Sequence, residues 1–96
     1  MNDVVGFIGL GQIGLPMARR IRGAGFALVA HDGNAEVTRE FDAVAASARE
    51  VADLADVVIT CLPNAAAHRS VVLDPDGIVA GRRCRIHVHT GTSGLA

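Results

Sequence analysis

The sequence predicts an α/β fold, a doubly wound parallel sheet of about five strands in the order 3-2-1-4-5. Three observations predict it. Val4, Val5, Phe7 and Ile8 form a short apolar run that breaks into Gly9-Leu10-Gly11-Gln12-Ile13-Gly14 and then into a helical pattern. A second run, Asp56-Val57-Val58-Ile59-Thr60-Cys61-Leu62, is β-branched and nearly uninterrupted, which suits a central parallel strand covered on both faces. Around these runs, strand-like and helix-like segments alternate, and that alternation calls for right-handed crossovers.

The first strand is Val4 to Ile8. After the glycines, Ile13, Met17 and Ile21 recur every four residues with Ala24 beyond them, while Arg19, Arg20 and Arg22 point elsewhere. That is an amphipathic helix whose arginines form a solvated face. Pro16 must lie in the first turn, so the helix should begin by about Gln12, and Gly25 is its natural stop. Ala27-Leu28-Val29-Ala30-His31 is the second strand. Asn34 can cap a short helix from Ala35 to about Phe41, with Val37 and Phe41 on its inner face. Asp42 to Ala46 is a weak third strand.

Ser47 with Glu50 makes a capping box for a helix that ends near Ala55, with Val51 and Leu54 as its apolar edge. The strongest strand follows and is terminated by Pro63-Asn64. Ala65 to Leu73 reads as a helix, Asp74-Pro75-Asp76-Gly77 as a turn, Ile78 to Ala80 as a short helical piece and Arg85 to His89 as the fifth strand. Thr90 to Ala96 leaves that strand as a loop.

Half of the 96 residues are hydrophobic, 3% are aromatic and the formal net charge is −1. This is the balance of a soluble globular chain with one core, and it argues against a nucleic-acid partner. Apolar stretches fall well short of the roughly 20 residues of a membrane span, and Met1-Asn2-Asp3 carries no signal-peptide pattern. Cys61 and Cys84 do not make a disulfide framework and read as reduced structural thiols, so a cytoplasmic location is expected. His87 and His89 share a strand face, but two histidines without a third ligand at a recognisable spacing do not make a metal site. His68 reads as a solvated helix residue. A domain of this size buries only about 60 to 65% of its unfolded surface. Self-association through an exposed sheet edge is therefore expected.

The glycines carry the chemistry. Gly9 permits the tight turn out of the strand, Gly11 lets backbone N–H groups approach phosphate oxygens, and Gly14 lets the helix pack on the strand it has just left. A pyrophosphate there meets unpaired amides and the positive end of a helix dipole. About 20 positions on, at the end of the second strand, such a fingerprint needs an acid for the ribose hydroxyls. Asp32 stands there, and its charge would repel a 2′-phosphate, so NAD is favoured over NADP. His31 and Arg39 are the cations near enough to temper that repulsion, and Asp32-Gly33-Asn34 is equally a good turn sequence. The glycine loop, Asp32, Leu62-Pro63 and Thr90-Gly91-Thr92 all fall at the carboxyl edge of the sheet, where such folds bind ligands.

At this point the sequence resembles a known family, the β-hydroxyacid dehydrogenases, to which 3-hydroxyisobutyrate dehydrogenase and the cofactor domain of 6-phosphogluconate dehydrogenase belong. Gly6-Phe7-Ile8-Gly9-Leu10-Gly11-Gln12-Ile13-Gly14-Leu15-Pro16-Met17-Ala18 is similar to the family's opening GFIGLGxMGxPMA, with Ile13 for Met. Ala55 to Pro63 is similar to its ADVVIxMLP, with Cys61 for Met. His89 to Leu95 stands where the family carries DxSTxxP, and of that motif only Thr92 is kept; Ala67 stands where many members have Asn. The resemblance implies a Rossmann domain holding a dinucleotide with Gly9, Leu10, Gly11, Gln12, Ile13, Gly14, Asp32, Asn34, Leu62, Pro63 and Thr92. It also implies hydride transfer to or from a small hydroxy acid in a longer enzyme, whose catalytic lysine lies on a helical second domain. All nine basic residues here are Arg, and an always-protonated Arg cannot serve as the general acid. Residues 1–96 are thus expected to be an incomplete NAD(P)-binding domain without catalytic residues of its own. The alternative is a standalone NAD-binding regulatory module.

Overall fold

The computed structural model describes residues 3–90. A parallel sheet is formed by β1 (Val4–Ile8), β2 (Ala27–His31), β3 (Val57–Thr60) and β4 (Ile86–His89) in the order β2-β1-β3-β4. Strand β1 is the hinge of this order, with Gly6 opposite Val29 on one side and Val58 on the other. Three helices cover the sheet: α1 (Gly14–Gly23), α2 (Ala48–Leu54) and α3 (Ala65–Leu73).

The two faces of β1 feed two cores. On one face, Phe7 and Leu10 pack with Ala18, Ala30 and Phe41, and α1 adds Leu15, Met17 and Ile21. On the other, Ile8, Val29 and Val58 meet Val51, Ala52 and Ala55 of α2 and its flank, with Ile78, Val71 and Val72 closing the layer. The alternating side chains of a buried strand produce this division. Helix α1 starts at Gly14, slightly later than the sequence suggests, without a side-chain cap. It stops where Gly25 takes φ +97°, the left-handed conformation that glycine adopts without a Cβ penalty. Glu40 joins α1 to the rest by accepting from both Arg19 and Arg22, while Arg22 also stacks 4.8 Å over the Phe41 ring.

Two expected elements are reduced. The helix expected from Ala35 to Phe41 is a single 3-10 turn, Ala35–Thr38, capped by Asn34 through the Glu36 amide. The Thr38 hydroxyl donates to the Ala35 carbonyl at 2.7 Å, so a side chain takes up the acceptor that helix continuation would share. The third strand over Asp42 to Ala46 shrinks to one bridge, Ala30 with Val44, on the outer side of β2. Its position is the one the order 3-2-1-4-5 demands. The next rung, from the Asp32 amide to the Ala45 carbonyl, is not among the hydrogen bonds formed; the His31 imidazole meets that oxygen at 3.0 Å. The chain then turns into α2 through Ser47, which accepts the Glu50 amide while the Glu50 carboxylate accepts the Ala46 amide.

Candidate functional site

The carboxyl ends of β1, β2 and β3 open on a cavity of about 590 Å³, within the usual range for small-molecule sites. Its floor is the turn out of β1. Gly9 has φ +99°, and a Cβ there would fall on the Cys61 carbonyl oxygen. Its amide donates to the His31 carbonyl at 3.1 Å, so the turn is tied to β2. At Gly14 a Cβ would strike the Gly9 carbonyl, which is how closely α1 starts against the strand.

Gly11 differs from both. It is exposed, it lines the cavity, and a Cβ built on it would meet no protein atom. Among the described residues no protein acceptor engages the amides of Gly11, Gln12 or Ile13. Unpaired N–H groups at the start of a helix are the donors an anion needs. The residues present therefore fit a dinucleotide pyrophosphate, with bare backbone where an oxygen would approach.

Asp32 lies on the rim of the same cavity. One carboxylate oxygen accepts the Leu10 amide at 2.7 Å and the other accepts the Asn34 amide at 2.8 Å. Each oxygen keeps a further acceptor site, because a carboxylate offers about four. His31 lines the cavity beside it, with Nδ1 facing the Ala45 carbonyl at 3.0 Å. A carbonyl can only accept, so Nδ1 carries the hydrogen and Nε2 of the neutral ring is an acceptor. Arg39 is exposed, 3.8 Å from Glu36 and not among the residues that line the cavity.

Of the residues expected at the site, Gly9, Gly11, Gln12, Ile13, Gly14, Asp32, Leu62 and Pro63 line the cavity. Leu10 does not: its side chain is buried in the α1 core and its amide is held by Asp32. Asn34 does not either, since its side chain caps the 3-10 turn and its amide supports Asp32. Both act behind the wall. Thr92 lies outside the described residues, but Thr90 is on the wall, held by donating its amide and hydroxyl to the Thr60 carbonyl, both at 2.9 Å. Cys61 and Val71 were not foreseen on the wall. Cys61 follows from its place at the carboxyl end of β3, whereas no sequence signal marks Val71, which α3 carries in from above. His68 is a correction: it is half-buried and stacked on two strand histidines, because α3 lies over β4.

No helix among the described residues is long and apolar enough to cross a membrane, and no group of acidic, cysteine or histidine residues among them could hold a metal ion.

Comparison with known proteins meets this geometry directly. The family model for the NAD-binding domain of 6-phosphogluconate dehydrogenase matches residues 4–95. The chain belongs to this NAD-binding family. The mouse mitochondrial 3-hydroxyisobutyrate dehydrogenase is 40% identical over 79 residues, which cover 78% of this chain and 24% of that enzyme. A solved structure of Mycobacterium tuberculosis 3-hydroxyisobutyrate dehydrogenase with L-serine superposes with a TM-score of 0.81 at 31% identity, covering 96% of this chain and 32% of its own. An imine reductase from Myxococcus stipitatus in complex with NADP+ gives 0.83 at 11% identity, over 92% of this chain and 32% of that one, and shares the fold alone. The chain thus spans about a quarter of the curated relative it matches. Both the doubly wound fold and the resemblance to the β-hydroxyacid dehydrogenases hold.

Proposed function

We propose that this NAD(P)-binding domain takes NAD in preference to NADP, as the cofactor half of an oxidoreductase acting on a small hydroxy acid. The observation that carries the reading is the pairing of bare backbone at Gly11 with the Asp32 carboxylate on one cavity. The amides of Gly11, Gln12 and Ile13 would receive the pyrophosphate, and the free acceptor sites of Asp32 the ribose diol. A 2′-phosphate would meet the Asp32 charge. Leu62, Pro63 and Thr90 then border the space left for the nicotinamide, which when bound supplies the hydride-exchanging carbon.

This chain's residues bind, orient and exclude water. With no lysine among its residues, the general acid for the substrate oxygen would come from polypeptide beyond these residues. The alternative, a dinucleotide-binding module without catalysis, rests on that same absence.

Calorimetric titration with NAD+ and with NADP+ tests the reading. Binding of NAD+ at least about tenfold tighter than NADP+, a difference near 1.4 kcal/mol, is expected. Equal affinities would overturn the preference, and no binding of either at millimolar concentration would overturn the cofactor reading for this chain.

A further inference from the structure

Three of the four histidines gather at one place outside the glycine turn. His87 and His89 stand on β4 in register with Val58 and Thr60 of β3, and His68 comes down on them from α3. The His68 ring centroid is 3.8 Å from that of His89, tilted by 36°, and 5.3 Å from that of His87, nearly parallel at 21°. Beneath them the fully buried Thr60 hydroxyl lies 2.9 Å from His87 Nε2 and 3.4 Å from His89 Nδ1. One hydroxyl can donate to one ring and accept from the other. Among the described residues the Nε2 atoms of His68 and His89 are buried without a partner.

This arrangement tolerates neutral rings and resists charged ones. A proton added to His68 Nε2 would create a buried N–H donor with no acceptor among the described residues, set against the His89 ring. Among the described residues no carboxylate is bonded to these rings. The charged groups on the packed elements are Arg69 on α3, Asp74 at its end, Asp56 and Arg83 at the opposite end of β3, and Arg85 before β4. Asp74 accepts from Ser70 and Asp56 from Arg83, and among the described residues neither carboxylate bonds an imidazole. Cys84, also before β4, is a neutral thiol donating to the Ile86 carbonyl.

The cluster sits between two elements that build the cavity wall. One turn beyond His68, α3 presents Val71 to the cavity, and Thr90 hangs from the carbonyl of the same Thr60 whose hydroxyl the histidines share. We propose that His68, His87 and His89 form a proton-sensitive clamp that holds α3 against β4, so that mild acid loosens the Val71 and Thr90 wall and weakens dinucleotide binding. The link to binding rests on the cofactor reading above, while the clamp itself does not. Burial, with the neighbouring His89 adding to it, holds the His68 imidazole below its ordinary pKa, and burial with both other rings does the same for His87. For a base depressed in the fold, the stabilisation is complete above the ordinary imidazole value of about 6.5 and is lost as pH falls below it.

The experiment follows amide exchange protection in α3 without ligand, histidine ring titrations by NMR, and NAD+ affinity, between about pH 7.5 and 5.5. In the wild type, protection at Val71 and Val72 should fall by about tenfold and NAD+ should bind about tenfold more weakly as the pH is lowered. In His68→Leu, and in His68→Phe, which keeps a ring on the stack, both changes should shrink to less than about threefold. His31 also lines the cavity, so only the difference between wild type and the His68 variants counts in the affinity arm. Acid loss of α3 protection without any NAD+ binding would leave the clamp standing and remove the cofactor reading. Unchanged protection in the wild type, or equal acid losses in wild type and both variants, would overturn the clamp.

Discussion

The Asp32 carboxylate accepts the Leu10 amide at 2.7 Å across a separation of 22 residues. This bond ties the end of β2 to the glycine turn after β1. One side chain therefore both holds the glycine turn and lines the cavity. Leu10 itself, buried to 2% exposure, anchors that loop from below.

Asp32→Ala should thus cost stability as well as affinity. The Leu10 amide would lose its acceptor in a part-buried turn, a penalty of about 1 to 3 kcal/mol. Urea denaturation should show it as a lower midpoint at unchanged slope. Asp32→Asn keeps one acceptor oxygen but sets an NH2 donor against the Asn34 amide that the second carboxylate oxygen accepts, so it should recover only part of that stability while losing the NAD+ preference. A variant pair that lost affinity with no change in stability would contradict the dual role.

Gly9→Ala and Gly23→Ala should move stability in opposite directions. The first sets a Cβ on the Cys61 carbonyl at a backbone φ of +99°, which should cost about 2 kcal/mol or more. The second adds a methyl at the end of α1 where nothing lies within 4 Å, and a helical glycine replaced by alanine gains about 0.5 to 1 kcal/mol. Thermal unfolding of the two variants beside the wild type checks both signs.

Acid should release the tie between α1 and the segment after β2. The hydrogen bond from Arg19, followed by that from Arg22, holds the Glu40 carboxyl down at about 2 against an ordinary 4.5. A carboxylate depressed in the fold contributes stability that is complete above its unfolded value and lost as pH falls toward its folded one. The stability difference between wild type and Glu40→Gln should therefore be constant near neutrality and vanish between about pH 4.5 and 2. The pair is solvent-exposed, so the difference is small and should shrink further in salt. A difference that persisted at pH 2 would assign it to something other than the Arg19 ion pair.

The sheet and the glycine turn were legible because their signals are local. Val57 to Thr60 is β-branched without a break, and Gly9 and Gly14 are required by backbone approaches that any strand-to-helix turn of this kind imposes. What escaped the sequence depended on which acceptor each donor finds in space. Nothing in Asp42 to Ala46 reveals that the third strand will be held to β2 by one bridge, or that the His31 imidazole will meet the Ala45 carbonyl. Nothing in His68 reveals that α3 will set it on His89. Asn34 and Leu10 were placed in the right neighbourhood but behind the wall, because proximity in sequence to a ligand turn does not say which way a side chain faces.

Strand β4 pairs on one side only, with β3, among the described residues. Its side chains divide: His87 and His89 face α3, whereas Ile86 and Val88 are 52% and 41% exposed on the opposite face. A strand with unpaired backbone groups and an apolar face is a template for a second strand, and a second copy of this chain offers the same edge. A two-fold pairing of β4 with β4 would extend the sheet and cover Val88 against its counterpart. The weight-average mass in sedimentation should then rise with concentration. Val88→Lys, a charge on that face, should hold the chain monomeric at the same concentrations. A mass independent of concentration in the wild type, or association undiminished in Val88→Lys, would exclude this edge as the contact.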